Sequence, residues 1–329
     1  MKFAREAIYE AAKKLSNWGR WGENDQIGTL NNIEPADIVA AAGLIRRGKV
    51  FSLGLSLKEP IQSGLFGGRW NPVHQMLATG TDAAIGKQDG DGKAYLRYAD
   101  DGINMPCQAS TQWDALCHIF LDDKMYNGYP ATDVTVQGAA KLGIENVRDK
   151  MVGRGVLLDI ARYKGVSSLD DGYGITNEDL DGCAKAQGVE IRKGDFVIIR
   201  TGHQERCLEK KDWSGYAGGD APGLAFETAY WIREKDIAAI CADTWGCEVR
   251  PNETDEANQP WHWVVIPAIG ISMGEIFYLK ELGEDCAEDG VYEFFFVAPP
   301  LHLPGGAGSP SATTQKGSRC RSTTVSAER

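Results

Sequence analysis

One short segment of the chain concentrates side chains that can bind a metal ion. It reads Gln108-Ala-Ser-Thr-Gln112-Trp-Asp114-Ala-Leu-Cys-His118. In an extended backbone Gln112 and Asp114 point to the same side, because strand side chains repeat every two residues. Their oxygen atoms can therefore converge on one cation. The alternative interpretation of the same spacing is a loop whose polar side chains are simply solvated.

Further residues are candidates for binding a substrate. Asp243 and Trp245 follow a predicted buried strand, and strand ends often carry functional residues in α/β folds. His203 follows another predicted strand, and Trp113 lies inside the segment described above. Either of these two can line a pocket for a planar substrate, since tryptophan stacks well on rings. For Asp243 the alternative is a turn cap, and for Trp113 it is a core position beside the site.

The segment from 108 to 118 resembles the signature H-x-G-T-H-x-D-x-x-x-H of the cyclase or kynurenine-formamidase-like metal-dependent hydrolases, a family that includes the isatin hydrolases. Thr111, Asp114 and His118 occupy matching places. The resemblance extends over about residues 18–310 through further motifs in the same order. These are Trp21-Gly22, Asp25, Gly28-Thr29-Leu30-Asn31, Lys193-Gly194-Asp195, Arg200-Thr201-Gly202, Asp220-Ala-Pro222-Gly223-Leu224, His262 and Glu275.

The chain departs from that signature at the two upstream histidines, which are Gln108 and Gln112 here, and at the glycine, which is Ser110. In relatives those histidines bind a divalent metal, often zinc or manganese. An amide carbonyl is a hard oxygen ligand, so it favours manganese or magnesium over the softer zinc. The resemblance implies a divalent-metal site, with manganese favoured and zinc or magnesium as alternatives. Its implied ligands are Asp114, His262 and Glu275, with Gln108 and Gln112 either binding the metal or orienting the other ligands.

The resemblance also implies that His118 is the general acid and base, because the last histidine of the family signature has that role. The alternative is a core histidine that donates to a backbone carbonyl. The implied activity is hydrolysis of a carbon–nitrogen amide bond in a small molecule, either a cyclic amide such as a lactam or an N-formyl arylamine. The same site suits a lactone hydrolase or a polyketide-type cyclase. Loss of the two histidines leaves a metal-free binding or scaffold protein as an alternative of another class.

Hydrophobic runs and helical patterns predict the elements that hold these residues. Strands buried on both faces are predicted at 155–160, 196–200, 237–242, 263–266 and 292–297. Helices are predicted near the N-terminus up to residue 15, from a capping box at 176 to 187, and over 224–235 and 273–282. Together they predict a mixed α/β fold. The resemblance implies a swivelling β/β/α domain around a central mixed β core.

Length and composition limit the class of protein. The chain has 329 residues, a formal net charge of -11, 43% hydrophobic residues and 25% charged residues. These values are typical of a globular protein, and so negative a charge argues against nucleic acid as a partner. No apolar run approaches the ~20 residues that span a bilayer, and the N-terminus lacks the pattern of a secretory signal. We therefore expect a cytoplasmic protein without membrane contact, whose cysteines are mostly buried, reduced thiols.

No linker divides the chain into separate domains. Residues 1–310 are predicted to form a single hydrolase domain, with a surface loop over 82–102 and an amphipathic helix at the N-terminus. The tail over 311–329 is rich in serine and threonine and is predicted to be disordered. The resemblance implies a homodimer or homotetramer. The apolar stripe of the N-terminal helix is compatible with that, because it needs a surface to cover it.

Overall fold

The computed structural model describes residues 2–90, 95–311 and 314–316. Its helices are α1 (Glu6–Leu15), α2 (Pro35–Ala42), α3 (Gly80–Ala84), α4 (Ile160–Tyr163), α5 (Asn177–Gln187), α6 (His203–Lys210), α7 (Thr228–Lys235), α8 (His262–Val264) and α9 (Lys280–Asp289). A π-helix, Val265–Ile269, continues α8, and 3-10 turns lie at Gly28–Asn32, Tyr126–Gly128, Ala131–Asp133 and Ile144–Val147. None of the helices in the described ranges is both long and apolar enough to cross a membrane.

The strands of the described residues are β1 (Lys49–Phe51), β2 (Val73–Ala78), β3 (Asp100–Asn104), β4 (Gln112–Asp114), β5 (Val134–Thr135), β6 (Gly138–Ala139), β7 (Val152–Asp159), β8 (Gly174–Ile175), β9 (Phe196–Arg200), β10 (Gly223–Leu224), β11 (Ala239–Ala242), β12 (Ser272–Glu275), β13 (Glu293–Val297), β14 (Gly308–Pro310) and β15 (Thr314–Lys316). A seven-stranded sheet has the order β13-β7-β9-β11-β12-β4-β14. Neighbours are parallel from β7 to β12, whereas β13, β4 and β14 pair antiparallel. This sheet confirms the predicted mixed α/β fold with a central mixed β core.

Strand β4 lies between β12 and β14, which both come from later parts of the chain. On one side Gln112 lies opposite Glu275 of β12. On the other side Asp114 lies opposite Gly308 of β14. Directly opposite residues of paired strands share a face of the sheet, and so do alternate residues of one strand. The register therefore puts Gln112, Asp114 and Glu275 on one face.

Several predicted elements form where the sequence places them. In α5 the side chains of Thr176 and Asp179 each accept the other's backbone N–H, which is the predicted capping box. Gly188 ends this helix in the left-handed conformation, with φ of 66°. The predicted strands at 155–160, 196–200, 237–242 and 292–297 correspond to β7, β9, β11 and β13 with small shifts at their ends. Helix α7 begins later than predicted, at Thr228.

Two predicted elements are wrong in type. The run at 263–266 is helical and joins α8 to the π-helix, because a short buried apolar run has no pattern that separates a strand from a helix. The helix predicted over 273–282 begins only at Lys280, and its first residues belong to the fully buried strand β12. The second error concerns the candidate site, because Glu275 ends a strand and is not on a helix.

Both segments predicted to be irregular contain regular structure. In the tail, Ser311 is buried, and its N–H donates to the Thr111 carbonyl at 3.0 Å. Strand β15 pairs antiparallel with β1. Residues 312, 313 and 317–329 lie outside the described part. The segment 82–102 includes the end of α3 and the start of β3, and residues 91–94 are again outside the described ranges.

Candidate metal centre

Asp114, His262 and Glu275 form a buried cluster beside the sheet. Asp114 ends β4, Glu275 ends β12 and His262 begins α8. One ligand atom of each side chain lies within 4.8 Å of the others, and all three residues are buried. Ligands about 2.0–2.6 Å from one ion lie up to about 4–5 Å from each other, so this spacing suits a single divalent cation.

Gln112 extends the polar face beside the cluster. Its Nε2 atom donates a hydrogen bond of 2.6 Å to Glu275 Oε2. Its Oε1 atom and Asp114 Oδ1 are both buried, and neither accepts a hydrogen bond from any described residue. A buried acceptor without a donor is costly, so both oxygens favour a cation at this position. The residues present therefore fit a divalent metal ion.

Glu248 fixes the orientation of His262. Its Oε1 atom accepts a hydrogen bond of 2.6 Å from His262 Nδ1, and its Oε2 atom accepts one of 3.0 Å from the Trp261 N–H. His262 Nε2 is thereby turned towards the cluster, 3.5 Å from Glu275 Oε1. A histidine held by a carboxylate through one ring nitrogen presents the other to a metal. Sequence analysis missed Glu248, because no motif marks this residue.

The cluster carries an excess of buried negative charge. Burial and the neighbouring Glu275 carboxylate raise the pKa of Asp114 well above its usual value. Burial by itself lowers the pKa of His262, but Glu248 and Glu275 outweigh it and raise that pKa to about 10. In the metal-free protein a proton on His262 therefore compensates part of the acidic charge. A metal ion that binds His262 has to displace this proton.

We expect the affinity for manganese to rise with pH. Because the pKa of His262 is about 10 and that of Asp114 is raised, metal binding displaces at least one proton, and the affinity should rise at least about tenfold for each pH unit from about 6 to 9. Titration calorimetry with MnCl₂ in two buffers of different ionisation enthalpy measures the proton released. Glu248→Gln, which removes a charge that raises this pKa, should show a shallower dependence. A Kd independent of pH would contradict this arrangement.

His118 lies beside the cluster on the turn that follows β4. Its Nε2 atom is 3.7 Å from Asp114 Oδ1, too far for a hydrogen bond, and 21% of its side chain is exposed. Burial, followed by the positive charges of Arg69 and His262, lowers the pKa of His118 to about 3, so the ring is neutral at pH 7. The ring nitrogen is therefore free to accept a proton, although so low a pKa makes it a weak base in the metal-free protein. Within the described residues no backbone carbonyl accepts a hydrogen bond from the ring, which argues against the core alternative.

The other two candidates of the 108–118 segment differ in position. Gln108 packs against Gly308, where a Cβ atom would come within 2.6 Å of its Nε2. Trp113 is fully buried on the face of β4 opposite to Asp114, and its Nε1 donates to the Ala298 carbonyl at 2.7 Å. It packs edge-on against core phenylalanines. Trp113 therefore occupies the core position that was its alternative, because neighbouring residues of a strand face opposite ways.

Asp243 and His203 make their contacts with residues outside the cluster. Asp243 accepts hydrogen bonds from the Thr201 N–H and hydroxyl at 2.9 and 2.7 Å, and from the Gly202 N–H at 2.7 Å. Both its oxygens are engaged, so Asp243 has the turn-capping position that was its alternative. The His203 ring packs 5.3 Å from that of Tyr216. Among described residues no hydrogen bond or ion pair joins His203 to the metal cluster, and it lines another cavity.

Trp245 does lie near the cluster, and it contacts two residues that sequence analysis missed. Its ring is 5.0 Å from that of Phe66 and 5.1 Å from the guanidinium carbon of Arg69. After burial, the charge of Arg69 contributes to the low pKa of His118, and it partly offsets the rise in the pKa of Asp114 that burial and Glu275 cause. The surrounding loop is rich in glycine and matches no signature. Nothing in the sequence therefore marked Arg69 or Phe66.

The fold and the site together define a cyclase-type α/β protein with a buried candidate metal centre. The sequence profile of the family described as "Putative cyclase" matches residues 52–249. A crystal structure described as a novel cyclase is 38% identical, with a TM-score of 0.83, and the match covers 96% of this chain and 100% of that chain. The chain belongs to the putative cyclase family, which confirms the resemblance drawn from its motifs.

More distant solved structures share the fold. Isatin hydrolase A from Labrenzia aggregata bound to benzyl benzoate is 17% identical, with a TM-score of 0.57 over 86% of this chain and 98% of that chain. An isatin hydrolase bound to the product analogue thioisatinate is 16% identical, with a TM-score of 0.57 over 86% of this chain and 100% of that chain. A comparison with curated proteins gave no match.

Proposed function

We propose that this protein is a metal-dependent hydrolase that cleaves a carbon–nitrogen amide bond in a small molecule, either a cyclic amide such as a lactam or an N-formyl arylamine. The observation that carries the proposal is the buried cluster of Asp114, His262 and Glu275 with the neutral His118 beside it. Together they supply a place for a Lewis acid and a proton carrier, which amide hydrolysis needs at neutral pH. Family membership and the fold shared with isatin hydrolases support it.

The residues of the site divide the work between binding and proton transfer. Asp114, His262 and Glu275 would hold a divalent cation, which when bound polarises a carbonyl and makes water more acidic. His118 accepts the proton of the attacking water on its neutral ring and then gives it to the leaving nitrogen. Gln112 holds the Glu275 carboxylate in place through its hydrogen bond of 2.6 Å.

Manganese is the metal that the donor set favours. Two carboxylates, one imidazole and the unpartnered Oε1 atom of Gln112 make a set rich in oxygen. Such a set suits manganese, whereas structural and catalytic zinc sites rely more on imidazole and thiolate ligands. Magnesium prefers oxygen ligands alone and keeps several waters, so the imidazole makes it a poorer match.

Elemental analysis tests the proposal directly. Protein purified after growth with manganese is expected to hold a stoichiometric ion and to hydrolyse members of a panel of lactams and N-formyl arylamines. A thermal-shift titration with manganese, zinc and magnesium covers ions that are lost during purification. No bound metal and no shift with any of the three would contradict the proposal and favour a metal-free binding protein. Preference for lactones would contradict the carbon–nitrogen bond of the proposal and favour a lactone hydrolase with the same site.

We also propose that the protein is a homodimer or homotetramer. The apolar stripe of α1 does not support this, because α7, α8 and the π-helix already cover it within the chain. The support comes from strands β2 and β3, which within the described part pair only with each other and expose Val73, Met76 and Leu77. A two-stranded hairpin alone is marginally stable in water. Light scattering on the full chain measures the mass, and a monomer would contradict the proposal.

A further inference from the structure

The loop over 62–71 is fastened beside the strand that carries the candidate ligands. The Gln62 N–H donates to Asn71 Oδ1 at 2.8 Å, and Asn71 Nδ2 donates back to the Gln62 carbonyl at 3.3 Å. Gln62 Nε2 also donates to the Ala109 carbonyl at 3.1 Å, just before β4. The two ends of the loop are therefore fixed, and the residues between them are held near that strand.

Arg69, within this loop, contacts two aromatic rings. Its guanidinium carbon is 5.0 Å from the centre of the Phe66 ring and 5.1 Å from that of Trp245. A guanidinium above a ring uses its flat face, so its in-plane N–H donors stay free for other partners. Among the described residues, Arg69 forms no hydrogen bond and no ion pair. The chain has 46 aspartates and glutamates, yet none that is described neutralises this arginine.

The charge of Arg69 acts on the reaction site. After burial, it is a cause of the low pKa of His118, and it offsets a small part of the rise in the pKa of Asp114 that burial and Glu275 produce. The first residue is the proposed proton carrier and the second belongs to the metal cluster. The geometry agrees, because Arg69 lies 5.1 Å from the ring of Trp245, and the next residue, Gly246, adjoins Glu275.

The segment 244–246, which carries the Trp245 ring beside Arg69, also has donors without a partner. Trp245 Nε1 and Thr244 Oγ1 are buried, and neither has a hydrogen-bond partner in the described part of the chain. The next residue is Gly246, where a Cβ atom would lie 4.0 Å from Glu275 Oε1. The segment 244–246 therefore adjoins the metal cluster. Buried donors without acceptors are rare in native proteins, which points to an acceptor supplied from outside the chain.

We propose that Arg69 binds an anionic group of the substrate, with the Trp245 indole N–H as a further donor. The site would then select substrates that carry a carboxylate close to the bond that is cleaved. This inference rests on the proposed function, because it concerns the substrate of the same site. A carboxylate matches the parallel N–H donors of a guanidinium, and hydrogen bonds between charged groups are about twice as strong as neutral ones.

Binding of two matched probes tests the inference without requiring the true substrate. The probes are 2-aminobenzoate and its neutral isostere 2-aminobenzamide, titrated by calorimetry into manganese-loaded protein. The wild type is expected to bind the carboxylate at least ~10-fold more tightly, and Arg69→Gln should weaken that binding by ~10- to 100-fold while changing amide binding little. Arg46→Gln removes the same charge from an exposed position and should keep the preference. Arg69→Lys retains the charge without the planar donors and should be intermediate.

Equal binding of the two probes to the wild type, binding of neither, or an equal loss for both in Arg69→Gln would overturn the inference. Titration of manganese into the same proteins separates this result from the proposed function. Wild-type protein that binds none of manganese, zinc and magnesium contradicts the metal-dependent hydrolase, and the probes are then compared on the metal-free protein. Manganese binding without a preference for the anion contradicts only the role of Arg69.

Discussion

Replacing His118 with alanine is expected to remove nearly all hydrolysis while the protein still binds manganese. The His118 ring lies 3.7 Å from Asp114 Oδ1 but is not one of the three grouped ligands. General acid–base transfer is typically worth about 10² to 10⁴ in rate, so kcat should fall by a factor in that range. The measurement is kcat on the best substrate of the amide panel, together with metal content by elemental analysis.

His74→Ala is the matched control for this variant. His74 is an exposed histidine on β2 whose Nε2 lies 2.7 Å from Asp101 on β3. The His74→Ala variant removes an imidazole from the paired strands β2 and β3 and should leave kcat unchanged. Unchanged turnover in His118→Ala would rule out the proton-transfer role. Loss of the metal together with turnover would instead make His118 a ligand.

The change Asp114→Asn is expected to abolish both manganese binding and hydrolysis. The substitution keeps the shape of the side chain and removes the charge of a buried ligand. Loss of a group that merely orients a ligand costs ~10- to 100-fold in metal affinity, so loss of a ligand charge should cost more. The metal-free variant should be no less stable than the metal-free wild type. The reason is that burial and Glu275 raise the pKa of Asp114, which makes its charge unfavourable in the folded state.

Thermal unfolding with and without MnCl₂ separates loss of the metal from misfolding. Asp243→Asn is the matched control, since Asp243 is equally buried but accepts hydrogen bonds from Thr201 and Gly202. This control should unfold at a lower temperature and still be stabilised by manganese. The manganese-induced rise in Tm should be absent in Asp114→Asn. A rise that persists there would remove Asp114 from the ligand set.

Local spacing predicted only one part of the candidate centre. The alternation of Gln112 and Asp114 predicted a shared face, and the register of β4 with β12 shows one. His262 and Glu275 were joined to that segment through the family resemblance alone, because no local pattern connects residues so far apart. The elements around them were predicted wrongly, as a strand after His262 and a helix through Glu275. Motif order located both residues despite this, since it does not depend on periodicity.

Trp113 and Asp243 were predicted to bind substrate, but their positions depend on surroundings that only the folded chain creates. Trp113 lies next to Asp114 in sequence, yet the pleat of the strand turns it into the core. Asp243 follows a buried strand, as functional residues often do, but its oxygens are used by the turn at 201–202. No sequence motif marks Glu248 or Arg69, because the role of each depends on a contact that forms only in the folded chain. Residue type and position along an element therefore predict the role of a residue less well than its contacts in the folded protein do.

The position of β4 also bears on how the protein is made. Gln112 and Glu275, which face each other across β4 and β12, are 163 residues apart, and β14 comes later still. Contacts of such long range form slowly, because a long loop must close first. During synthesis the ligand-bearing strand leaves the ribosome well before either neighbour and has both edges open, a state prone to aggregation. We therefore expect the metal centre to be assembled late, so that manganese stabilises the finished protein and does not guide its early folding.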